Sequence, residues 1–401
     1  MARSRLHILA HVDHYLPGVK FGGPIRSIAN VVEGISDSVE FSIFTQNRDF
    51  GERTAYREVE PNRWSPVGGA SVFYATPENY NVRYMMRAVR ERRADVLYLN
   101  SFFSRIVMRV MFARRLRLFP SVPIILAPRG ELMRGALDLK RRRKTIYVSM
   151  ARQLALFDSI VWQASSPEER HSIEAMWPGA VVHLAAEAPA AGAADAFTLR
   201  RPGIKRAGSA RFIFLNRISR TKNLPYALRL LSSIQGRVDL DIFGPIEDES
   251  HWQLCKKLIA DLPSTATVRY RGVAHPAEIA ALLSGYDYSI LPTLGENFCH
   301  SIFECLSAGL PVITSDLTPW RELTRSGVGW DLPLADPGRW LAALQQCVDM
   351  GPPEHDGMSR RANQFATGWL QRHDTRAMHV ALFERAAART GWDEGRSSSR
   401  E

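Results

Sequence analysis

At 401 residues the chain is longer than one ordinary hydrophobic core fills, and it suits two domains of usual size. Apolar residues at 45% and charged residues at 23% exclude collagen-like, disordered and disulfide-scaffold classes. The net charge of +11 is unevenly placed: residues 83–152 hold 18 Arg or Lys against 4 Asp or Glu, a patch that could serve nucleic acid, an anionic membrane surface or an acidic substrate.

In chain order, the opening residues carry basic groups, but their apolar stretch is broken by His7 and His11, so they read as a first strand over 6–12 rather than a signal peptide. Helix-period and strand-period runs then alternate: a helix over 24–34, strands over 39–45 and 70–75, a helix over 79–92, a strand over 96–100, a helix over 103–117, a strand over 122–127 and a helix over 139–157. Such alternation predicts a parallel sheet covered on both faces. Residues 188–210, rich in Ala, Pro and Gly, read as a linker after a first domain of 1–187. The alternation restarts in a second domain of 211–375, with strands over 211–216, 238–243, 266–271, 288–292 and 311–314 and helices over 226–234, 251–262, 277–284 and 337–350. A C-terminal helix over 376–390, able to pack back on the first domain, and a disordered tail over 391–401 complete the expectation. No apolar run approaches the roughly 18 residues of a membrane-crossing helix. Cys255, Cys299, Cys305 and Cys347 lack zinc-type spacing, so neither metal nor cofactor is expected, and a reducing, cytoplasmic compartment fits best.

In open α/β sheets ligands sit at the carboxyl ends of strands, so the loops there should carry the chemistry. The segment from Leu291 runs strand, polar loop, helix, with Glu296 and Glu304 on either side of the helix start. Acidic residues are about a tenth of the chain, so that spacing alone proves nothing; the context does the selecting. Backbone N–H groups around Asn297, Phe298, Cys299, His300 and Ser301 would face an anion, and a diphosphate is the natural occupant. Glu304 could then accept from a ribose and Glu296 from hydroxyls on the other side. Arg217 and Lys222, in the loop after the second domain's first strand, would neutralise a diphosphate leaving group, although Arg-x4-Lys in so basic a chain is more often a solvated pair. Gly22 and Gly23 precede a helix and permit close backbone approach to a phosphate or sugar, or simply make a turn. His7 and His11 fall ~13 Å apart on one strand face and read as core and surface groups rather than metal ligands, while His14 could reach the site.

These segments closely resemble family 4 of the retaining glycosyltransferases, over nearly the whole chain. The resemblance rests on Gly22-Gly23-Pro24, on Ala127-Pro128-Arg129-Gly130-Glu131, on Asn216-Arg217 with Lys222-Asn223, and above all on Glu296-x7-Glu304 followed by Ala308-Gly309-Leu310-Pro311-Val312. It implies the GT-B fold, two Rossmann-like doubly wound parallel-sheet domains facing a central cleft, and metal-independent transfer from a nucleotide-sugar donor to a saccharide or lipid-linked saccharide acceptor with retention. In that family Arg217, Lys222 and Glu296 would act on the diphosphate and the transferred sugar, and Glu304 on the ribose. His14 and Arg129 would lie on the acceptor side. Cys299 departs from the family's usual glycine after Glu-x-Phe, and Pro128-Arg129-Gly130 stands where many members have histidine.

Two other classes remain open at this point: a nucleic-acid-binding protein using 83–152, weakened by the lack of interleaved aromatics, and a GT-B relative such as a nucleotide-sugar epimerase or a sugar phosphorylase. No nucleic acid is expected as partner on the transferase reading. The basic stretch 102–117, with Phe102, Phe103, Ile106, Val107, Met108 and Met111, reads equally as a peripheral membrane helix on the inner face of the cytoplasmic membrane or as a surface helix with one buried face.

Overall fold

In a computed structural model the chain is described over residues 5–133, 137, 141–190, 192, 196–198 and 205–389. It divides into two compact units, one holding the residues up to Ala188 together with those from Asp374 onward, the other Pro189–His373.

The first unit runs β1 (Leu6–His11), α1 (Gly23–Ile35), β2 (Val39–Gln46), β3 (Trp64–Val67), β4 (Ala70–Ala75), α2 (Val82–Glu91), β5 (Val96–Asn100), α3 (Arg105–Arg115), β6 (Ile124–Ala127), α4 (Arg141–Gln153), β7 (Val161–Ala164), α5 (Pro167–Met176) and β8 (Val181–Leu184). Its eight strands lie in the order β3-β4-β2-β1-β5-β6-β7-β8. Ile8, Leu9 and Ala10 are wholly buried in succession, as a strand covered on both faces requires. In α1, Ile25, Ile28, Val31, Val32 and Ile35 recur at helical spacing and are buried, with Pro24 in the first turn.

The sheet is mixed rather than wholly parallel, because β3 pairs antiparallel with β4. Gly68 and Gly69 make the two-residue turn between them, and Pro66 sits in the edge strand, where a missing N–H breaks no ladder. That proline hides β3 from a reading by apolar pattern; β7, α5 and β8 are likewise absent from the expected elements.

The last described helix, α13 (Thr375–Ala387), belongs to the first unit. Phe383 meets Tyr98 and Phe41 edge-on at centroid separations of 5.3 and 5.8 Å, and the Arg376 guanidinium holds the Asp37 carboxylate at 2.7 Å.

The second unit runs β9 (Ser209–Leu215), α6 (Leu224–Leu231), β10 (Arg237–Phe243), α7 (Glu249–Ala260), β11 (Ala266–Tyr270), α8 (Ile279–Leu283), β12 (Tyr288–Leu291), α9 (His300–Ser307), β13 (Val312–Ser315), α10 (Leu323–Ser326), β14 (Gly329–Leu332), α11 (Pro337–Asp349) and α12 (Pro352–Arg372). All six strands are parallel, in the order β11-β10-β9-β12-β13-β14. The small residues Ser359, Ala362 and Ala366 let α12 pack closely on α9, and Asn363 donates to the Ser307 carbonyl at 2.7 Å.

Of the stretch expected as a linker, the described end is built into this unit. Lys205 is buried, its ammonium directed at the carbonyls of Ser209 at 2.7 Å, Arg206 at 2.8 Å and Met350 at 2.9 Å, and β9 begins at Ser209. The start of the helix expected over 139–157 and the tail over 391–401 lie outside the described residues.

Candidate functional site

The strand order of the second unit reverses between β9 and β12, the position at which open α/β sheets form a crevice beyond their carboxyl ends. The loop after β9 carries Asn216, Arg217 and Lys222; the loop after β12 carries 292–299 and opens into α9. The two loops are stitched together. Leu294 N–H donates to the Thr221 carbonyl at 2.7 Å, and Lys222 Nζ donates to Glu296 Oε1 at 2.5 Å. Glu296 Oε1 also accepts from the Thr293 hydroxyl at 2.8 Å. With side chains only 10% and 9% exposed, Lys222 and Glu296 form a shielded, charge-assisted pair spanning the reversal.

Gly244, at the end of β10, lets the adjoining ends of β9 and β10 approach. Its φ is +144°, and a Cβ there would lie 2.0 Å from the Asn216 carbonyl oxygen, so only glycine fits without displacing the loop that holds Arg217.

The helix α9 starts abruptly. Cys299 occupies its N-cap with φ +66°, in the left-handed region, and no side chain caps the first-turn amides, which lack intrahelical acceptors. The Asn216 amide donates to Ser301 Oγ at 2.7 Å, which fixes the helix start to the end of β9. Glu304, three residues on from Ser301, shares that face of the helix. Phe298 is buried in an aromatic nest with Trp320, Trp369 and Phe303, and its carbonyl accepts from the Trp320 indole N–H. Beside it, Asn297 Oδ1 is buried without a hydrogen-bond partner among the described residues, an acceptor left over for a donor from outside the chain. Burial, and after it the Glu296 carboxylate, pushes the Cys299 thiol up to about 11, so it stays protonated and inert.

Lys222, Glu296, Asn297, Cys299, Ser301 and Glu304 thus gather at one place. Arg217 is at the same strand end but turned to Glu247, 2.7 Å away, with both side chains about 30% exposed. Gly22 and Gly23 stand at the start of α1 in the first unit, where Gly22 takes φ +71° and a Cβ on Gly23 would meet nothing within 4 Å.

The two residues expected on the acceptor side are engaged within the first unit. His14 Nδ1 is 2.9 Å from the Arg48 carbonyl. The Arg129 side chain, 7% exposed, bonds Glu187 at 2.5 Å, the Tyr98 hydroxyl at 2.6 Å and Asn100 Oδ1 at 2.8 Å. Burial opposes the charge on Arg129, but Glu187, Tyr98 and Glu169 together outweigh it and raise its pKa.

Of the apolar residues that suggested membrane contact for 102–117, Phe102, Ile106, Val107 and Met111 are buried in the core, and Phe103 and Met108 are half-buried and packed against it. That face of α3 therefore packs against protein. Among the described residues no three His, Cys, Asp or Glu side chains are grouped to hold a metal ion, and no helix is long and apolar enough to cross a membrane.

Gly244 and Thr293 were not singled out from the sequence, and Asn216 appeared there only within the Asn216-Arg217 motif, without a role of its own. The available signals were Thr293 three residues before Glu296, and a glycine ending the second strand of an α/β unit.

Residues 195–365 match the family model described as glycosyl transferases group 1. A search of curated proteins found no match. Among solved structures, the chain is similar to a sucrose-phosphate synthase from Thermosynechococcus elongatus, with a TM-score of 0.66, 15% identity and coverage of 97% of this chain and 98% of that one. It is similar to WaaG, a glycosyltransferase involved in lipopolysaccharide biosynthesis, with a TM-score of 0.65, 13% identity and coverage of 95% and 98%. It is also similar to Anabaena Alr3699/HepE, solved in complex with UDP and glucose, with a TM-score of 0.67, 13% identity and coverage of 96% and 100%. Two doubly wound sheets in this arrangement of strands, shared across whole chains, are the GT-B fold.

Proposed function

We propose that the chain transfers a sugar from a nucleoside-diphosphate sugar to a saccharide or lipid-linked saccharide acceptor, with retention of anomeric configuration. The observation that carries this reading is the shielded Lys222–Glu296 pair lying across the strand-order reversal beside the uncapped start of α9. The family match over 195–365 spans all of these residues.

A donor diphosphate at the α9 start is favoured by the first-turn amides and the helix dipole. Lys222 has three N–H donors, one engaged by Glu296, so the others can take phosphate oxygens as negative charge grows on the leaving group. Arg217, once exchanged from Glu247, adds a second cation. Glu304 accepts from the ribose, while Glu296 and the orphan Asn297 Oδ1 hold the sugar to be transferred. Attack by the acceptor hydroxyl on the face the phosphate leaves, with that phosphate drawing off the proton, needs no nucleophile from the chain.

Two substitutions test the site. Lys222→Ala should cut kcat by about 100-fold or more, as loss of one charge stabiliser does. Glu304→Gln should raise the donor Kd about 10-fold, as loss of a charged hydrogen bond does, at an unchanged melting temperature. Full transfer by folded Lys222→Ala would remove the reading.

A further inference from the structure

The second unit also holds a cavity of about 410 Å³ that lies against the face of its sheet rather than beyond the carboxyl ends of the strands. Arg211 of β9, Arg237, Asp239 and Asp241 of β10, and Arg269 of β11 line it, with Tyr286 from the turn before β12 at its side. Register explains the grouping. Arg211 is paired with Asp239 and Asp241 with Arg269 across parallel ladders, so these side chains stand on one face of the sheet. The alternate residues Val238, Leu240 and Ile242 point the other way and are buried in the core.

β9 and β10 are interior strands, and in a doubly wound sheet such strands are ordinarily apolar on both faces, because helices cover both. Here one face carries charge instead. Stability does not account for it, since replacing a buried ion pair by apolar residues of similar volume is often neutral or stabilising. The buried Asp241 carboxylate accepts from Arg269 Nε at 2.7 Å, the Tyr286 hydroxyl at 2.9 Å and Arg271 Nε at 3.2 Å. Burial opposes its ionisation, but the bonds from Arg269 and Tyr286 and the charges of Arg269 and Arg271 outweigh it and hold its pKa below the ordinary value. Asp287, also buried, accepts from Arg211 Nη2 at 2.8 Å. The two buried carboxylates thus fix the orientation of the guanidinium groups around the cavity.

Each guanidinium has five N–H donors, and the aspartates take only some of them. Arg211 uses Nε and Nη2 on Asp287, Arg269 uses Nε on Asp241 and Nη2 on Asp239, and Arg237 uses Nε on Asp239. Among the described residues, Nη1 of Arg211, Nη1 of Arg269 and both terminal nitrogens of Arg237 make no hydrogen bond. Arg211, Arg237, Arg269 and Arg271 meet Asp239, Asp241 and Asp287, which leaves one positive charge in excess. Asp239 receives only long bonds, 3.2 Å from Arg237 and 3.4 Å from Arg269, and keeps capacity to accept from a hydroxyl. Planar forks with spare donors match phosphate oxygens, and the cavity is of the size that takes a small molecule.

We propose that this cavity binds a small hydroxylated phosphate ester, its phosphate held by Arg211, Arg237 and Arg269 and a hydroxyl by Asp239. The site is distinct from the Lys222–Glu296 group and does not depend on the transfer reading.

The test titrates the full chain by calorimetry with glycerol 3-phosphate, ribose 5-phosphate and inorganic phosphate, and separately with UDP. At least one ester should bind, more tightly than inorganic phosphate, and should bind equally well in the presence of saturating UDP. Arg237 is exposed, so Arg237→Gln should leave the melting temperature and UDP binding unchanged while weakening the ester at least 10-fold, as loss of charged hydrogen bonds does. Arg237→Lys, which keeps the charge without the fork, should fall between the two. No ester bound, inorganic phosphate bound as tightly as any ester, displacement of the ester by UDP, or equal ester binding by parent and Arg237→Gln would each overturn the proposal. An ester bound through Arg237 by a chain that binds no UDP would uphold this site and count against the transfer reading instead.

Discussion

At Cys299 the backbone turns into α9 through the left-handed region, which costs a side-chain-bearing residue about 1–2 kcal/mol and glycine almost nothing. The strain is offset by burial of the thiol, so Cys299→Gly should change stability by no more than about 1 kcal/mol and preserve transfer. Cys255, Cys305 and Cys347 are buried where Cys299 is half-buried, and burial pushes all four thiols up. Native chain treated with iodoacetamide at pH 8 should therefore show no adduct by intact mass within minutes. Rapid single labelling would mean that the α9 start is open, contrary to the structure. The charged members of the site were legible in sequence because strand, loop and helix could be placed around them. The pairing of Lys222 with Glu296 and of Arg217 with Glu247 was not, since it depends on where Thr221 and Glu247 sit in space.

At the scale of elements, α13 is fixed to the first unit by a histidine that must stay neutral. His379 Nδ1 donates to the Thr375 carbonyl at 2.8 Å, and Nε2 faces the Gln163 amide at 3.3 Å, where a second ring proton would oppose the amide's own. Burial lowers His379 from the ordinary 6.5 to about 4. Because the unfolded state takes up the proton first, this contribution is complete above pH 6.5 and is lost as pH falls towards 4. Between pH 7 and pH 5 the loss from this one group is about 2 kcal/mol. Urea unfolding should show the parent losing that much more than His379→Gln over the same interval; parallel pH dependences would contradict a neutral buried ring. Gly244→Ala, in turn, should destabilise by at least about 1–3 kcal/mol and weaken donor binding, because the new methyl group displaces the Asn216 carbonyl. Long amphipathic elements such as α1 were readable from their apolar spacing, whereas β3, β7 and β14, interrupted by Pro66, Gln163 and Asp331, carry no continuous apolar run to reveal them.

At the scale of the whole molecule, the alternation of strands and helices conveyed two doubly wound units, and α13, at the place of the C-terminal helix expected over 376–390, belongs to the first of them. The basic character of 83–152 also acquires a different surface from the one the sequence suggested. With the apolar face of α3 packed inward, Leu116, Leu118 and Ile146 remain 65–69% exposed, beside Arg115, Arg117, Arg142 and Arg143 in sequence. Exposed apolar side chains interleaved with arginines suit an anionic lipid surface. The chain should sediment with vesicles containing anionic lipid at low salt and be released at high salt, and equal binding to neutral vesicles would show that charge is not responsible.

The central claim is that the second unit holds a nucleotide-sugar and gives up its sugar. The most direct measurement incubates the chain with a panel of UDP-, GDP-, ADP- and dTDP-sugars and saccharide acceptors and reads nucleoside diphosphate release with the mass of the extended acceptor. Release matched to acceptor extension, lost in Lys222→Ala, is the predicted result; a folded chain that binds and consumes none of these donors would contradict the account.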